Sequence, residues 1–186
     1  MLFRSFRASS MGLRKAPEQF RSLRLHFVGT SYATDGQARK IVESVAEEFG
    51  VEKYVHEDPE RVSYIEALQL LNDADFLVVP GSDDPQYTAS KLYPYILSTR
   101  PILAVFHEQS SVVDILREVN AGEVLPFDPN DEQSWSDRFL DKWRDILLRI
   151  PMSPDTDWEA FEKYSAREMT RQQCTIFDRV VDRAVG

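Results

Sequence analysis

The fold is decided by residues 75–107, DFLVVPGSDDPQYTASKLYPYILSTRPILAVFH. DFLVVPG (75–81) and PILAVFH (101–107) are apolar runs of strand length, and a short helix is expected between them at residues 90–98. A strand, a helix and a second strand in this order predict parallel strands joined by a right-handed crossover. Because neither run alternates with polar residues, both strands are expected to be covered on both faces.

The same alternation of strand and helix extends in both directions along the chain. LRLHFVGT (23–30) is typical of a buried strand ending in a tight turn at Gly29, and a helix is expected from Thr34 or Asp35 to Gly50. Further strands are expected at 51–57 and 121–127, and further helices after Asp58 and at 111–120. This pattern predicts the α/β class, with a doubly wound, Rossmann-like parallel sheet followed by long C-terminal helices.

Two longer helical segments close the chain, and both carry aromatic stripes that we expect to be core. Pro151 and Pro154 separate the segments because proline does not continue a helix. We therefore divide the chain into a sheet domain at 1–150 and a helical extension at 151–186, which packs on the same domain or on another one. The first stripe comprises Trp135, Phe139, Trp143 and Leu147, and the second comprises Trp158, Phe161, Tyr164, Met169, Phe177 and Val181.

Composition excludes several classes of protein. The 186 residues include 22 Lys and Arg against 31 Asp and Glu, a net charge of −9 that disfavours binding to nucleic acid. No apolar run is long enough for a transmembrane helix. The one cysteine, Cys174, forms no internal disulfide or zinc site and is expected to be a packed thiol in a cytoplasmic protein. Residues 1–24 are basic, which fits either a transit peptide or a helix packed on the sheet.

Ligands of doubly wound sheets bind at the carboxyl ends of the strands, which directs the search to the loops there. Gly29 and Thr30 follow the first strand and offer backbone N–H groups to a phosphate, although a tight turn alone also explains the glycine. Ser90 and Lys91 stand at the start of a helix, where an ammonium group could stabilise a diphosphate. The alternative for Lys91 is a solvated lysine beside Asp83 and Asp84.

Other chemical motifs are weak in this sequence. Asp73 and Asp75 form a D-x-D pattern, but they precede a strand and lie opposite the ligand edge, so a turn explains them better. His26, His56 and His107 lack the spacing of a metal site, and no nucleophile elbow is present. We therefore expect no metal site.

Three phrases together resemble the C-terminal half of GT-B glycosyltransferases, most closely those of the retaining family 4 type. They are LRLHFVGT (23–30), LNDADFLVVP (71–80) and SKLYPYILSTRPILAV (90–105). The resemblance implies that residues 1–150 bind a nucleoside diphosphate sugar as substrate, with no cofactor, for hexosyl transfer with retention. It also implies a separate N-terminal domain that binds the acceptor, with residues 2–20 entering from it, so that the isolated chain is inactive.

By position, the resemblance implies a set of donor-binding residues and leaves the catalytic residue unknown. It puts Gly29 and Thr30 near the phosphates, His56 and Glu57 beside the base, and Gly81, Ser90 and Lys91 near the diphosphate. The two carboxylates of the family's E-x7-E motif fall at Gln86 and Pro94, neither of which is acidic. This departure favours an alternative, a noncatalytic nucleotide-binding or protein-interaction module of the same fold. A free-standing flavodoxin-like or receiver-like domain is a third interpretation.

Overall fold

The structure, a computed structural model, describes residues 2–31, 33, 37–82, 84–127 and 132–185. Its strands and helices alternate up to residue 127 as the sequence predicts. The strands are β1 Leu25–Val28, β2 Val55–Asp58, β3 Leu77–Pro80, β4 Ile102–His107 and β5 Glu123–Phe127. The helices are α1 Leu2–Lys15, α2 Pro17–Phe20, α3 Val42–Glu48, α4 Tyr64–Asp73, α5 Leu92–Leu97, α6 Ser111–Glu118, α7 Glu132–Arg149, α8 Trp158–Phe161 and α9 Ala166–Val185.

All strand pairings within the described residues are parallel, which confirms the predicted fold class. Strand β1 pairs with β2, and β4 lies between β3 and β5. The sequence predicts one sheet, whereas the described residues contain no hydrogen-bonded ladder between the two groups of strands. Side chains join them instead, since Leu25 of β1 and Leu103 of β4 belong to one apolar cluster.

Strand β4 divides the core into two layers. Leu103 and Val105 face a cluster that includes residues of α1, α3 and α7. Ile102, Ala104 and Phe106 face the opposite cluster, with residues of α5, α6 and α8. Every residue from 102 to 106 is buried because helices cover both faces of this strand, as in a doubly wound fold.

The N-terminal basic segment forms a packed helix. Phe6 of α1 is fully buried and meets Phe27 of β1 edge to face, with 5.8 Å between ring centroids. Helix α1 also packs along α7, where Trp135, Phe139 and Trp143 are buried as predicted. Of the two interpretations of this basic segment, the structure shows the packed helix.

Three helices begin later than the sequence predicts. Helix α3 starts at Val42, and its expected caps, Thr34 and Asp35, lie outside the described residues. Helix α5 starts at Leu92 and ends at Leu97. Helix α4 starts at Tyr64 rather than after Asp58 because a capping box fixes it there. In that box the Ser63 hydroxyl accepts the N–H of Glu66 (3.3 Å), and the Glu66 carboxylate accepts the N–H of Ser63 (2.9 Å).

The C-terminal extension has two parts with different surroundings. Residues 155–164 contact the sheet domain: Phe161 is buried in the second cluster, and the Tyr164 hydroxyl donates to Glu118 (2.8 Å). Helix α9 instead exposes its apolar face, so the predicted core role of Met169, Phe177 and Val181 is wrong. The same holds for Trp158 of α8, which is 47% exposed. Cys174 is also exposed rather than packed. In the part of the chain that the structure describes, no helix is long and apolar enough to cross a membrane.

Candidate functional site

The loop after β1 is a tight turn at the carboxyl end of the strand. Gly29 has a φ of +69°, in the left-handed region that favours glycine, and its N–H donates to the carbonyl of Asp58 (2.9 Å). The N–H of Ser31 donates to the carbonyl of Pro59 (3.1 Å). These bonds tie the β1 loop to the end of β2, and the turn interpretation accounts for the glycine. Tyr32, the next residue of this loop, lies outside the described residues.

A buried carboxylate organises this loop. Glu57 is 1% exposed, and its Oε1 accepts the hydroxyl of Thr30 (2.5 Å). Its Oε2 accepts the N–H groups of Val42 (2.8 Å) and Glu43 (3.1 Å) at the start of α3. In return, the N–H of Glu57 donates to the Glu43 carboxylate (2.9 Å). A side chain from β2 therefore caps α3 and holds the β1 loop against it.

These hydrogen bonds keep Glu57 ionised. Burial raises the pKa of its carboxyl, but the bonds from Thr30 and from backbone N–H groups at the start of α3 outweigh burial, so the pKa lies below its ordinary value. The negative charge occupies the N-terminus of α3, where an anionic ligand would otherwise be attracted. A phosphate near Gly29 and Thr30 would be repelled by that charge.

The structure gives the two residues predicted to flank the base very different environments. Glu57 is committed to α3 and Thr30, so its carboxylate does not face solvent as contact with a base would require. His56 is exposed on the opposite face of β2. The side-chain contacts give Glu57 a structural role, and its placement beside a base stays a prediction.

The second group of predicted residues follows β3. The N–H of Gly81 donates to the carbonyl of Val105 (2.8 Å), and a Cβ at Gly81 would lie 2.4 Å from that oxygen. Close packing against β4 therefore requires this glycine. Ser90 and Lys91 are exposed at the start of α5, with Lys91 as the N-cap residue. No described residue forms an ion pair with Lys91, and Asp83 lies outside the described residues.

The two positions at which the resemblance would put carboxylates lie near the same helix. Gln86 is exposed before α5, and its N–H donates to the carboxylate of Asp84 (2.9 Å). Pro94 lies inside α5, where its side chain offers no hydrogen-bonding group. Lys91 is therefore the charged side chain that this helix presents at its start.

The loop after β4 contains a buried serine that sequence reasoning did not single out. Ser110 is fully buried, and its hydroxyl caps α6 by accepting the N–H of Val112 (3.3 Å). The same hydroxyl donates to the carbonyl of Tyr87 (3.3 Å), which joins this loop to the one after β3. A serine before a run of apolar residues at helical spacing was the available signal.

His26 and His56 meet across neighbouring strands, which their separation in sequence does not reveal. They are partners in the β1–β2 register, with ring centroids 5.6 Å apart. The signal was their place in two strands predicted to be parallel, since each follows the first buried residue of its strand. Among the described residues no group of three or more His, Cys, Asp and Glu side chains could hold a metal ion.

Comparisons with known proteins support the fold. No family model and no curated protein matches the chain. One similar solved structure is the crystal structure of WaaG, a glycosyltransferase involved in lipopolysaccharide biosynthesis, at 20% identity and a TM-score of 0.57. The alignment covers 80% of this chain and 34% of that one, so the chain spans about a third of its length. The protein has a Rossmann-like, glycosyltransferase-like fold with long C-terminal helices.

Proposed function

We propose that this chain is the donor-binding half of a retaining, family 4-like hexosyltransferase. Its substrate is a nucleoside diphosphate sugar, it uses no cofactor, and a second domain supplies the acceptor site. The observation that carries the proposal is the exposed Lys91 at the start of α5, on the ligand edge of a glycosyltransferase-like fold. A fold alone does not establish an activity, so the proposal depends on this site.

Lys91 has the chemistry to assist departure of the nucleoside diphosphate. As the bond to the sugar breaks, negative charge grows on the diphosphate, and an ammonium group placed there stabilises the transition state more than the ground state. The hydroxyl of Ser90 adds a hydrogen-bond donor beside it. Glu57 favours this location over the β1 loop, because its buried charge already occupies the start of α3.

Helix α9 supports the proposal of a second domain. It exposes Met169, Ile176, Phe177, Val180 and Val181, which share one apolar face of the helix. An apolar stripe of this length on an exposed helix is typical of a surface that another domain covers. We infer that residues 155–164 anchor the extension to this domain while α9 contacts the second one.

One set of observations favours the noncatalytic module instead. Gln86 and Pro94 stand where the resemblance to family 4 glycosyltransferases would put two carboxylates, and the Glu57 carboxylate caps α3. A module of this kind would keep the fold and the partner-binding helix α9 without transferring a sugar. Binding of nucleoside diphosphates distinguishes the enzyme from a pure interaction module.

Isothermal titration calorimetry with UDP, GDP, ADP and CDP tests the proposal directly. We expect one of them to bind, and Lys91→Ala to weaken that binding about tenfold, the equivalent of about 1.4 kcal/mol. Lys53→Ala is the matched control because Lys53 is also exposed but precedes β2, at the opposite edge of the strands. Absence of binding by every nucleotide supports the interaction module, and sugar transfer by the isolated chain contradicts the proposed division between two domains.

A further inference from the structure

The histidine pair lies on a face of β1 and β2 that no side chain of the first core cluster occupies. Leu25 and Val55, one residue earlier in each strand, are buried in that cluster. Because side chains alternate along a strand, His26 and His56 point to the other face, where both are exposed. Helix α4, which follows β2, has no buried residue and leaves them accessible. Two of the chain's three histidines thus share one solvent-facing site.

The separation of the two rings suits chelation of a single ion. Two imidazoles that each bind a tetrahedral ion at about 2.0–2.1 Å have ring centroids about 5 Å apart. The centroids of His26 and His56 are 5.6 Å apart, and the rings lie edge to face with 61° between their planes. Rotation about the side-chain torsions of two exposed residues covers the remaining difference. The strand pairing fixes both Cα atoms, so binding orders little more than the two rings.

Both imidazole side chains are exposed. No hydrogen bond or ion pair within the described residues engages either imidazole, whereas Nδ1 of the third histidine, His107, accepts the N–H of Gln109 (3.2 Å). The Glu43 carboxylate lies within electrostatic range of His56. That carboxylate already forms an ion pair with Lys40 (2.9 Å), so what favours a cation here is the chain's net charge of −9.

We propose that His26 and His56 form a two-ligand site for a divalent transition-metal ion of the Zn²⁺ or Ni²⁺ type. Each imidazole donates one nitrogen lone pair, and water molecules complete the coordination of the ion. Imidazole ligands select these borderline ions over Mg²⁺ and Ca²⁺, which prefer oxygen. The site uses the exposed strand face rather than the loops around Lys91, and it shares only His56 with the donor-binding residues that the resemblance implies.

Nuclear magnetic resonance of the tag-free chain tests the site without any substitution in it. Ni²⁺ is paramagnetic and broadens the ring signals of the histidines that it contacts. The probe is NiCl2 added to the Cys174→Ser chain, since the exposed thiol of Cys174 would otherwise compete for the metal. We expect the ring signals of His26 and His56 to broaden together at a Ni²⁺ concentration that leaves the His107 signal sharp. Equal broadening of all three signals overturns the proposal.

Calorimetry with matched variants measures each ligand's contribution. His26→Gln and His56→Gln are each expected to weaken Ni²⁺ and Zn²⁺ binding about tenfold or more, because one imidazole alone loses the chelate. His107→Gln is the control and is expected to bind as the parent does, and MgCl2 is expected to give no heat of binding. Unchanged affinity in either His26→Gln or His56→Gln contradicts the proposal, as does equal loss in His107→Gln. Nucleotide binding is measured separately and bears on neither result.

Discussion

Gly29, Gly50 and Gly81 are required to different degrees and for two different physical reasons. Gly29 and Gly50 have φ values of +69° and +67°, and a Cβ at either position would meet no atom closer than 3.8 Å. Glycine is required at these two positions because the backbone is left-handed there. At Gly81 a Cβ would lie 2.4 Å from the carbonyl oxygen of Val105 and 2.5 Å from the ring of Phe106. Glycine is required here because β3 and β4 pack closely. Sequence alone did not distinguish this role from ligand binding.

Alanine substitutions separate these two reasons. Gly29→Ala and Gly50→Ala are each expected to lower the free energy of unfolding by about 1–2 kcal/mol, the cost of a left-handed residue with a Cβ. Gly81→Ala is expected to cost more, about 3 kcal/mol, because the backbone of β4 must move. Urea denaturation followed by circular dichroism measures all three. A smaller loss for Gly81→Ala than for Gly29→Ala would contradict the close packing described here.

Among the elements, β-strands followed from the sequence more closely than helix starts did. An apolar run such as 101–107 indicates that both faces of a strand are buried, and this indication comes from residues of the strand itself. The start of α3 depends on Glu57, which lies in a different strand, so no pattern near Val42 indicates it. The start of α4 was readable from Ser63 and Glu66, because that capping box lies within four consecutive residues. Local caps are visible in a sequence, whereas caps supplied by another element are not.

Substitution of Glu57 tests the cap of α3. Glu57→Gln keeps the size of the side chain but removes its charge, and we expect the free energy of unfolding at pH 7 to fall by about 2 kcal/mol. Thr30→Val, which removes only one donor to Glu57, is expected to cost less, about 1 kcal/mol. Urea denaturation of both variants at pH 7 measures the two losses.

The pH dependence of stability provides the control for this cap. Because the folded pKa of Glu57 lies below its unfolded value, its ionisation stabilises the fold above the unfolded pKa, and this contribution disappears as the pH falls through the folded value. Glu57→Gln has no such contribution to lose. The stability difference between the parent and Glu57→Gln is therefore expected to narrow below about pH 4.5. A difference that stays constant from pH 7 to pH 3 would show that the charge does not hold the helix.

For the whole molecule, the sequence predicted the fold class and left open what the C-terminal extension contacts. Apolar periodicity reports that a face is covered but not which surface covers it. The stripe of α7 is covered by α1 and the sheet, whereas the stripe of α9 is exposed, although both have helical spacing. At the site, the sequence predicted a lysine at a helix start after β3, because residue type and helix caps are local properties, whereas a ligand is recognised by several loops together.

Two phenylalanines of the extension provide a matched test of its two parts. Phe161 is 7% exposed and packs near Tyr93 and Tyr164, so Phe161→Ala is expected to lower the free energy of unfolding by about 3–4 kcal/mol. Phe177 is 57% exposed on α9, so Phe177→Ala is expected to change it by no more than about 0.5 kcal/mol. Urea denaturation of the purified chain measures both. A loss of several kcal/mol in Phe177→Ala would mean that α9 packs on this same domain, and its apolar face would then not be available to a second one.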